Sequence, residues 1–598
     1  MKKGLWLAFF FAASAFAYTV QVDPADLAVT TIEDPAFGGY DAVTLKNGIL
    51  LPVDPGAPAL PALPVSVALP QGREIADVEI SYGDPIVLPG SYRVVPAQKP
   101  TPVSEPAGSV TPPNAAIYAS AEPFPGENAY SFGSGNMGGY GVGSVLLTPV
   151  QYVPATGQLT LYTTINFDLA LRRGAEEYAY PSVRLDWIDR DLRQSLAAEV
   201  INPWEIHTPA GVKLLSGGYD ADVFPYLIIT NSALETKAQE LATWKTKKGL
   251  NATVVTTTFI ESNYTGRDSA EKIRNCIKDY FQTKGTQYVC LIGYDSIIPV
   301  RKVYDSRYST IERNYLVPTD NYYGCLDGDF NADGDNYWGE YPADNVDWVY
   351  DVYVGRIQVS SVSDLTEVLD KTLCYEGADA STEENPYDYL NLIILAGAFL
   401  DSSTNEKLLM EYCRDNYLTS SHWNFTELWD NSYPGGSVFN SANFISNMNQ
   451  GKALIGHAAH SNTTVLGTNS GSVNSSNLRN LTNHPKFFGV LYSLGCYPSN
   501  TDSTSNCAAY FVSSPQGGGV GFAGNTRYGW YMRGSPVNGA SADFFREYFN
   551  QFGQNDVYEA GKLLALHKHP LQSTISNTTM RYIYFELLHN GDPDIWIP

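Results

Sequence analysis

Cys496 and the histidines of His457-Ala458-Ala459-His460 are the residues of this chain best placed for nucleophilic chemistry. The buried-strand run Phe488-Gly489-Val490-Leu491-Tyr492-Ser493-Leu494-Gly495 ends on Cys496, and Lys452-Ala453-Leu454-Ile455-Gly456 runs into the two histidines and Ser461. In an open parallel sheet, ligands bind beyond the carboxyl ends of the strands. If these two strands are neighbours, a histidine and a thiol meet at one sheet edge. A thiolate beside an imidazolium has a depressed pKa and is a strong nucleophile near neutral pH. The small residues around the pair could aim backbone N–H groups at an oxyanion. Two other readings fit the same residues: a packed structural thiol, or a zinc site in which Cys496 joins the His-x-x-His pair. Spacing alone leaves them open.

A second group of residues has cation chemistry. Asp329-Phe330-Asn331-Ala332-Asp333-Gly334-Asp335-Asn336-Tyr337-Trp338-Gly339-Glu340 follows the twelve-residue calcium-loop pattern, with oxygen donors at Asp329, Asn331, Asp333, Asp335 and Glu340. Alternate side chains converge on the ion and Gly334 makes the sharp turn. No flanking helices are evident, so the expectation is an EF-like loop holding structural calcium.

The elements that position these residues change character near residue 220. From Tyr18 to about Pro209 the chain is a series of short β-rich runs broken by Pro and Gly, which predicts an all-β, sandwich-like region. Within it, Pro96–Pro113 reads as an extended loop or linker and Gly133–Gly143 as a flexible surface loop. From about Phe224 strands and helices alternate: Tyr226–Thr230, a helix over Leu234–Lys248 stopped by Gly249, Thr253–Thr257, a helix over Ser269–Phe281, then Tyr288–Gly293. That order implies a parallel sheet with helices on both faces, and it recurs after residue 387. The expected division is a signal peptide over 1–17, a β-rich region over 18–210, a linker over 211–223, and α/β regions over 224–386 and 387–598. The two α/β regions read equally as consecutive units or as one large split sheet.

The signal is read from Lys2-Lys3, the apolar Leu5–Phe11 run and Ala15-Phe16-Ala17, and it predicts a protein exported to the periplasm, cell surface or medium. No later run of about 20 apolar residues predicts membrane insertion. A net charge of -25 argues against nucleic acid or an anionic membrane as partner. The seven cysteines all lie from residue 276 onward, and an odd number leaves at least one without an internal partner.

From about residue 224 onward the chain resembles the gingipain-type cysteine peptidases of the caspase-like clan. The resemblance rests on ordered blocks: Tyr288–Gly293 followed by Ile298-Pro299; Val352-Tyr353-Val354-Gly355-Arg356 with Lys371 and Tyr375-Glu376; Asn449-Gln450-Gly451 through Gly467; Leu494-Gly495-Cys496; and Gly591-Asp592-Pro593. Residues 18–210 resemble the pro-domain of that family through Gly56–Pro61, Ala68–Pro70 and Pro149–Leu159.

The resemblance implies a cysteine endopeptidase made as a zymogen, acting on protein or peptide substrates. Cys496 is its nucleophile, His460 its general base, and the pro-domain an intramolecular inhibitor. Register within the histidine block selects His460 over His457, although His457 belongs to the Gly-His pair. Ser461 stands where the family has glycine, and its backbone N–H is the candidate oxyanion donor. Asp401 is the nearest acid for orienting the imidazole, followed by Glu406, and Trp530 resembles an aromatic wall of the specificity pocket. No acid is evident for the base of that pocket. Pro-domain cleavage is expected between Arg172 and Gly217, with Arg172-Arg173 and Arg193 as candidate sites. A sortase-like transpeptidase and a non-catalytic surface binding protein are the competing readings.

Overall fold

The structure is a computed structural model, and it describes residues 16–597 apart from 33–34, 106–107, 127–129, 175–177, 217–219, 305–315, 378–386, 431–436 and 487. Most of the expected signal segment, and the expected boundary at 386/387, lie outside or at the edge of these residues.

The strands of the second half join into one sheet. In chain order they are β1 (Tyr226–Thr230), β2 (Ala252–Thr256), β3 (Tyr288–Ile292), β4 (Tyr353–Ile357), β5 (Leu392–Gly397), β6 (Asn424–Trp429), β7 (Ser437–Val438), β8 (Leu454–Ala458), β9 (Phe488–Ser493), β10 (Gly519–Asn525) and β11 (Leu587–Gly591). Their spatial order is β2-β1-β3-β4-β11-β10-β9-β8-β5-β6-β7. Central strands such as β1, β3, β8 and β9 are buried throughout, as their unbroken apolar runs require of strands covered by helices on both faces.

Pairing is parallel within each half, but β11 runs antiparallel to β10 while pairing parallel with β4. The two α/β regions are therefore oppositely directed halves of one sheet, stitched by the last strand. The seam is narrow, since β4 meets β11 at the single pair Arg356–Asn590.

The first half forms two four-stranded sheets, which share an apolar core of their own including Val67, Val145, Leu161 and Ile165. The Gly133–Gly143 stretch is not a flexible loop. It is the hairpin Ser131–Met137/Tyr140–Leu147, turned at Gly138 and Gly139 with φ of 56° and 92°. Its glycines are packing residues: a Cβ on Gly141 would lie 2.7 Å from the Leu69 carbonyl oxygen, and one on Gly135 2.7 Å from Val349. Glycine richness reported close approach rather than freedom.

The two regions are tightly joined. The helix Asp186–Glu199 packs between them, and Lys562 reaches Asp191 at 2.7 Å while Arg546 donates to the Gly48 carbonyl at 2.8 Å. None of the seven cysteines is bonded to another.

Candidate active site

Strands β8 and β9 are direct parallel neighbours, with His457 level with Ser493. Their carboxyl ends therefore deliver His460 and Cys496 to the same sheet edge. The loop after β9 is braced from both sides. Asn525 Nδ2 donates to the carbonyls of Leu494 and Gly495 at 3.0 and 2.9 Å, and Ser461 Oγ donates to that of Cys496 at 2.9 Å. Tyr497, immediately after the thiol, takes a left-handed backbone with φ of 62°, a costly conformation for a bulky residue. Its N–H donates to the Arg527 carbonyl at 2.6 Å, which holds the turn in place.

The segment read as a linker lies across this edge. Thr101 and Pro102 pair antiparallel with Tyr531 and Trp530, and the Val103 N–H donates to the Gly529 carbonyl at 2.7 Å. The Val103 carbonyl meets His460 Nδ1, and the Ser104 N–H donates to Cys496 Sγ at 3.1 Å. Histidine and thiol thus grip the two ends of one peptide unit. Of the two readings of Pro96–Pro113, the linker is corrected and the extended loop stands: its prolines keep the chain extended, and extension lets it pair with Trp530 and Tyr531.

With that cover the thiol is fully buried, and burial pushes its pKa up to about 12. The thiol also points toward the Gly529 carbonyl at 3.6 Å. The covered site therefore holds a protonated thiol at neutral pH.

The remaining predicted residues fall as follows. His460 Nε2 meets the main-chain carbonyl of Leu400 at 3.0 Å, whereas the Asp401 carboxylate accepts from the Tyr531 hydroxyl at 3.2 Å. Glu406 is fully buried, and burial raises its pKa well above the usual carboxylate range. His457 is a core residue: Nδ1 meets Ser493 Oγ and Nε2 the Gly467 carbonyl, both at 2.9 Å, and its ring stacks on Phe444. Trp530 is buried in edge-on contact with Tyr528 and Tyr582.

Sequence reasoning missed Gly529, Asn525 and the Leu400 carbonyl. Gly529 alone carried a signal, as a glycine before an aromatic pair. A Cβ there would lie 2.0 Å from the Leu494 carbonyl oxygen, so only glycine lets this edge approach the thiol loop.

In the acidic loop, carboxylate oxygens of Asp333, Asp335 and Glu340 lie within 4.8 Å of one another. Burial and the charges of Asp335 and Asp333 raise the Glu340 pKa. Asn331 Oδ1 is buried and has no hydrogen-bond partner among the described residues. Asp329 is turned away to Arg267, at 2.6 Å.

A thiol and an imidazole at adjacent carboxyl ends of a caspase-like sheet, covered by an N-terminal β-rich region, define a cysteine peptidase with its propeptide. Residues 220–597 match the model of peptidase family C25 and residues 14–188 that of the C25 propeptide; the chain belongs to this family. Among curated relatives, Lys-gingipain HG66 and Lys-gingipain W83 of Porphyromonas gingivalis are each 23% identical over 92% of this chain. The chain spans 30% of the length of each of those relatives. The solved Arg-specific cysteine proteinase gingipain R is similar at 17% identity and a TM-score of 0.47, over 64% of this chain and 81% of its own. The complex of Porphyromonas gingivalis RgpB pro- and mature domains is similar at 17% identity and a TM-score of 0.45, over 62% and 80%.

Proposed function

We propose that this chain is the latent form of an exported cysteine endopeptidase, with Cys496 as nucleophile, His460 as general base and residues 101–105 as the plug. One observation carries the reading: His460 and Cys496 arrive from adjacent parallel strands and engage the same peptide unit, Val103–Ser104.

Once the plug leaves, water reaches the thiol and the imidazole can take its proton. The thiolate then attacks the scissile carbonyl carbon, and the imidazolium gives its proton to the departing amine nitrogen, leaving a thioester. A water molecule, deprotonated by His460, cleaves the thioester to a carboxylic acid and restores the thiol. Backbone N–H groups of the Cys496 loop and of Ser461 are the donors for the oxyanion. The Leu400 carbonyl fixes the ring by accepting from Nε2–H, which leaves Nδ1 facing the thiol side. Export is supported by the basic and apolar residues 2–17, and among the described residues no helix is long and apolar enough to cross a membrane.

The test uses a thiol-reactive peptidyl probe after release of residues 101–105 from the site. Labelling and peptide cleavage that both vanish in Cys496→Ala support the enzyme. A wild-type chain that is alkylated at Cys496 yet cleaves nothing would point to a binding protein.

We further infer structural calcium in the loop of Asp333, Asp335 and Glu340, with Asn331 as a fourth donor. Hard carboxylate and amide oxygens suit calcium, and the buried Asn331 Oδ1 has no other partner among the described residues. The ion has no part in the acyl transfer. It would order the loop ahead of β4.

A further inference from the structure

We propose that the subsite binding the acyl-donating residue, S1, selects a short aliphatic side chain, valine above all, with proline in the preceding position. This assignment rests on the peptidase reading above. Residues 101–103 lie extended as a substrate would, with Thr101 and Pro102 paired antiparallel to Tyr531 and Trp530 in a two-stranded ladder of their own. The peptide unit held by His460 and Cys496 joins Val103 to Ser104. Val103 therefore occupies the acyl-donor position and Pro102 the one before it.

Burial changes abruptly at that bond. Val103 has no exposed surface and Pro102 is buried, whereas Ser104 and Glu105 are exposed. The isopropyl group is enclosed within the main apolar core, and the chain then returns to solvent. The carboxylate whose charge reaches the thiol is Glu586. It is fully buried, and its Oε2 accepts the Arg527 N–H at 3.1 Å. A branched aliphatic side chain entering here meets the same apolar walls that enclose Val103, whereas a charged one gives up its hydration. At the preceding position, the Trp530 N–H is spent on Ser541 Oγ at 2.9 Å. The Pro102 position thus lies between ladder hydrogen bonds, where a residue without an N–H fits.

The same geometry explains why the segment sits uncut. In acyl transfer the thiolate must face the carbonyl carbon, and the departing nitrogen must face the imidazole. Here the order is reversed: the carbonyl oxygen meets His460, and the Ser104 N–H meets the thiol. The side chains fill their subsites while the scissile unit is turned out of register for chemistry. Their identities therefore report what the subsites accept.

The experiment uses the full chain carrying either Ser104→Pro, which removes the N–H donated to the thiol, or Val103→Asp, which places a charge in the apolar subsite. Iodoacetamide alkylation of Cys496, read by mass spectrometry, first shows which variant has lifted the plug. Two acyloxymethyl ketone probes, Thr-Pro-Val and Thr-Pro-Lys, are then compared for their rate of labelling Cys496. The valine probe is expected to label at least about tenfold faster, and cleavage of Thr-Pro-X peptides to follow the same order. Equal or faster labelling by the lysine probe overturns the S1 assignment and leaves the peptidase reading standing. If iodoacetamide reacts but neither probe labels and no Thr-Pro-X peptide is cut, the peptidase reading falls and the assignment with it. Resistance of Cys496 to iodoacetamide in both variants overturns the assignment directly, because a subsite selective for valine would not keep an aspartate seated.

Discussion

His457 and His460 are three residues apart and have opposite fates. The strand carries His457 inward, where burial depresses its pKa to about 4. The turn after the strand carries His460 to the sheet edge, against Val103 and Leu400. A buried neutral histidine makes the fold acid-sensitive. Above its unfolded pKa of about 6.5 it binds no proton in either state, and as pH falls from there toward 4 only the unfolded chain takes one up, so stability is lost over that window. In urea titrations, His457→Gln is expected to be less stable than wild type near neutrality, and its deficit to shrink by about 2 kcal/mol between pH 7.5 and pH 5. A deficit that stays constant would mean that His457 takes up its proton as readily in the fold as in the unfolded chain. Orientation of His460 by a main-chain carbonyl also makes a prediction about Asp401. In the unplugged enzyme, Asp401→Asn should lower kcat/KM by far less than the factor of about 10,000 that removing a true orienting carboxylate costs.

At the level of elements, the loop between β9 and its following turn is built around absent side chains. A Cβ on Gly495 would lie 2.1 Å from Ser461 Oγ and 2.7 Å from the Ala459 carbonyl oxygen. Gly495→Ala is therefore expected to destabilise the fold by about 1–3 kcal/mol, as overpacking does. Part of that loss should return in a Ser461→Gly background, so a double-mutant cycle on thermal unfolding should show coupling of at least about 0.5 kcal/mol. Additive losses would place the clash elsewhere. Ser461 thus sets a hydroxyl that ties down the Cys496 carbonyl, at the cost of requiring glycine at 495. Such pairings bear on how much was legible in the sequence. Buried apolar runs gave the strands, and the blocks gave the order of His460 and Cys496. Several blocks turn out to hold the sheet rather than the chemistry. Arg356 pairs with Asp320 through both oxygens at 2.8 Å, and Lys371 donates to the Gly517 carbonyl at 2.9 Å. What stayed illegible was contact across long separation: Val103 meeting residues some 360 positions away, and main-chain groups such as the Leu400 carbonyl, which carry no residue identity.

At the level of the whole molecule, latency depends on more than the plug. Val103, Met137, Tyr140 and Leu146 of the first half belong to the same apolar core as the catalytic sheet. Polar clamps reinforce it. Tyr140 donates to the buried Asp189 at 2.7 Å, Ser144 to the Pro570 carbonyl at 2.8 Å, and Asn202 bridges both main-chain groups of Ala68. The helix Asp186–Glu199 is decisive, because it lies beyond Arg172-Arg173 in the chain yet packs on the first-half strands. A cut at Arg173 leaves that helix covalently attached to the catalytic half and still seated against the other. Interfaces of this apolar, interdigitated kind do not separate when one peptide bond is lost. Limited cleavage at Arg173 is therefore expected to yield two fragments that co-elute in size-exclusion chromatography, with Cys496 as slow to alkylate as in the intact chain. A second event, the removal of residues 101–105 from the sheet edge, is then what frees the thiol. Rapid alkylation on cleavage at Arg173 alone would show that chain continuity, rather than the packed core, holds the plug in place.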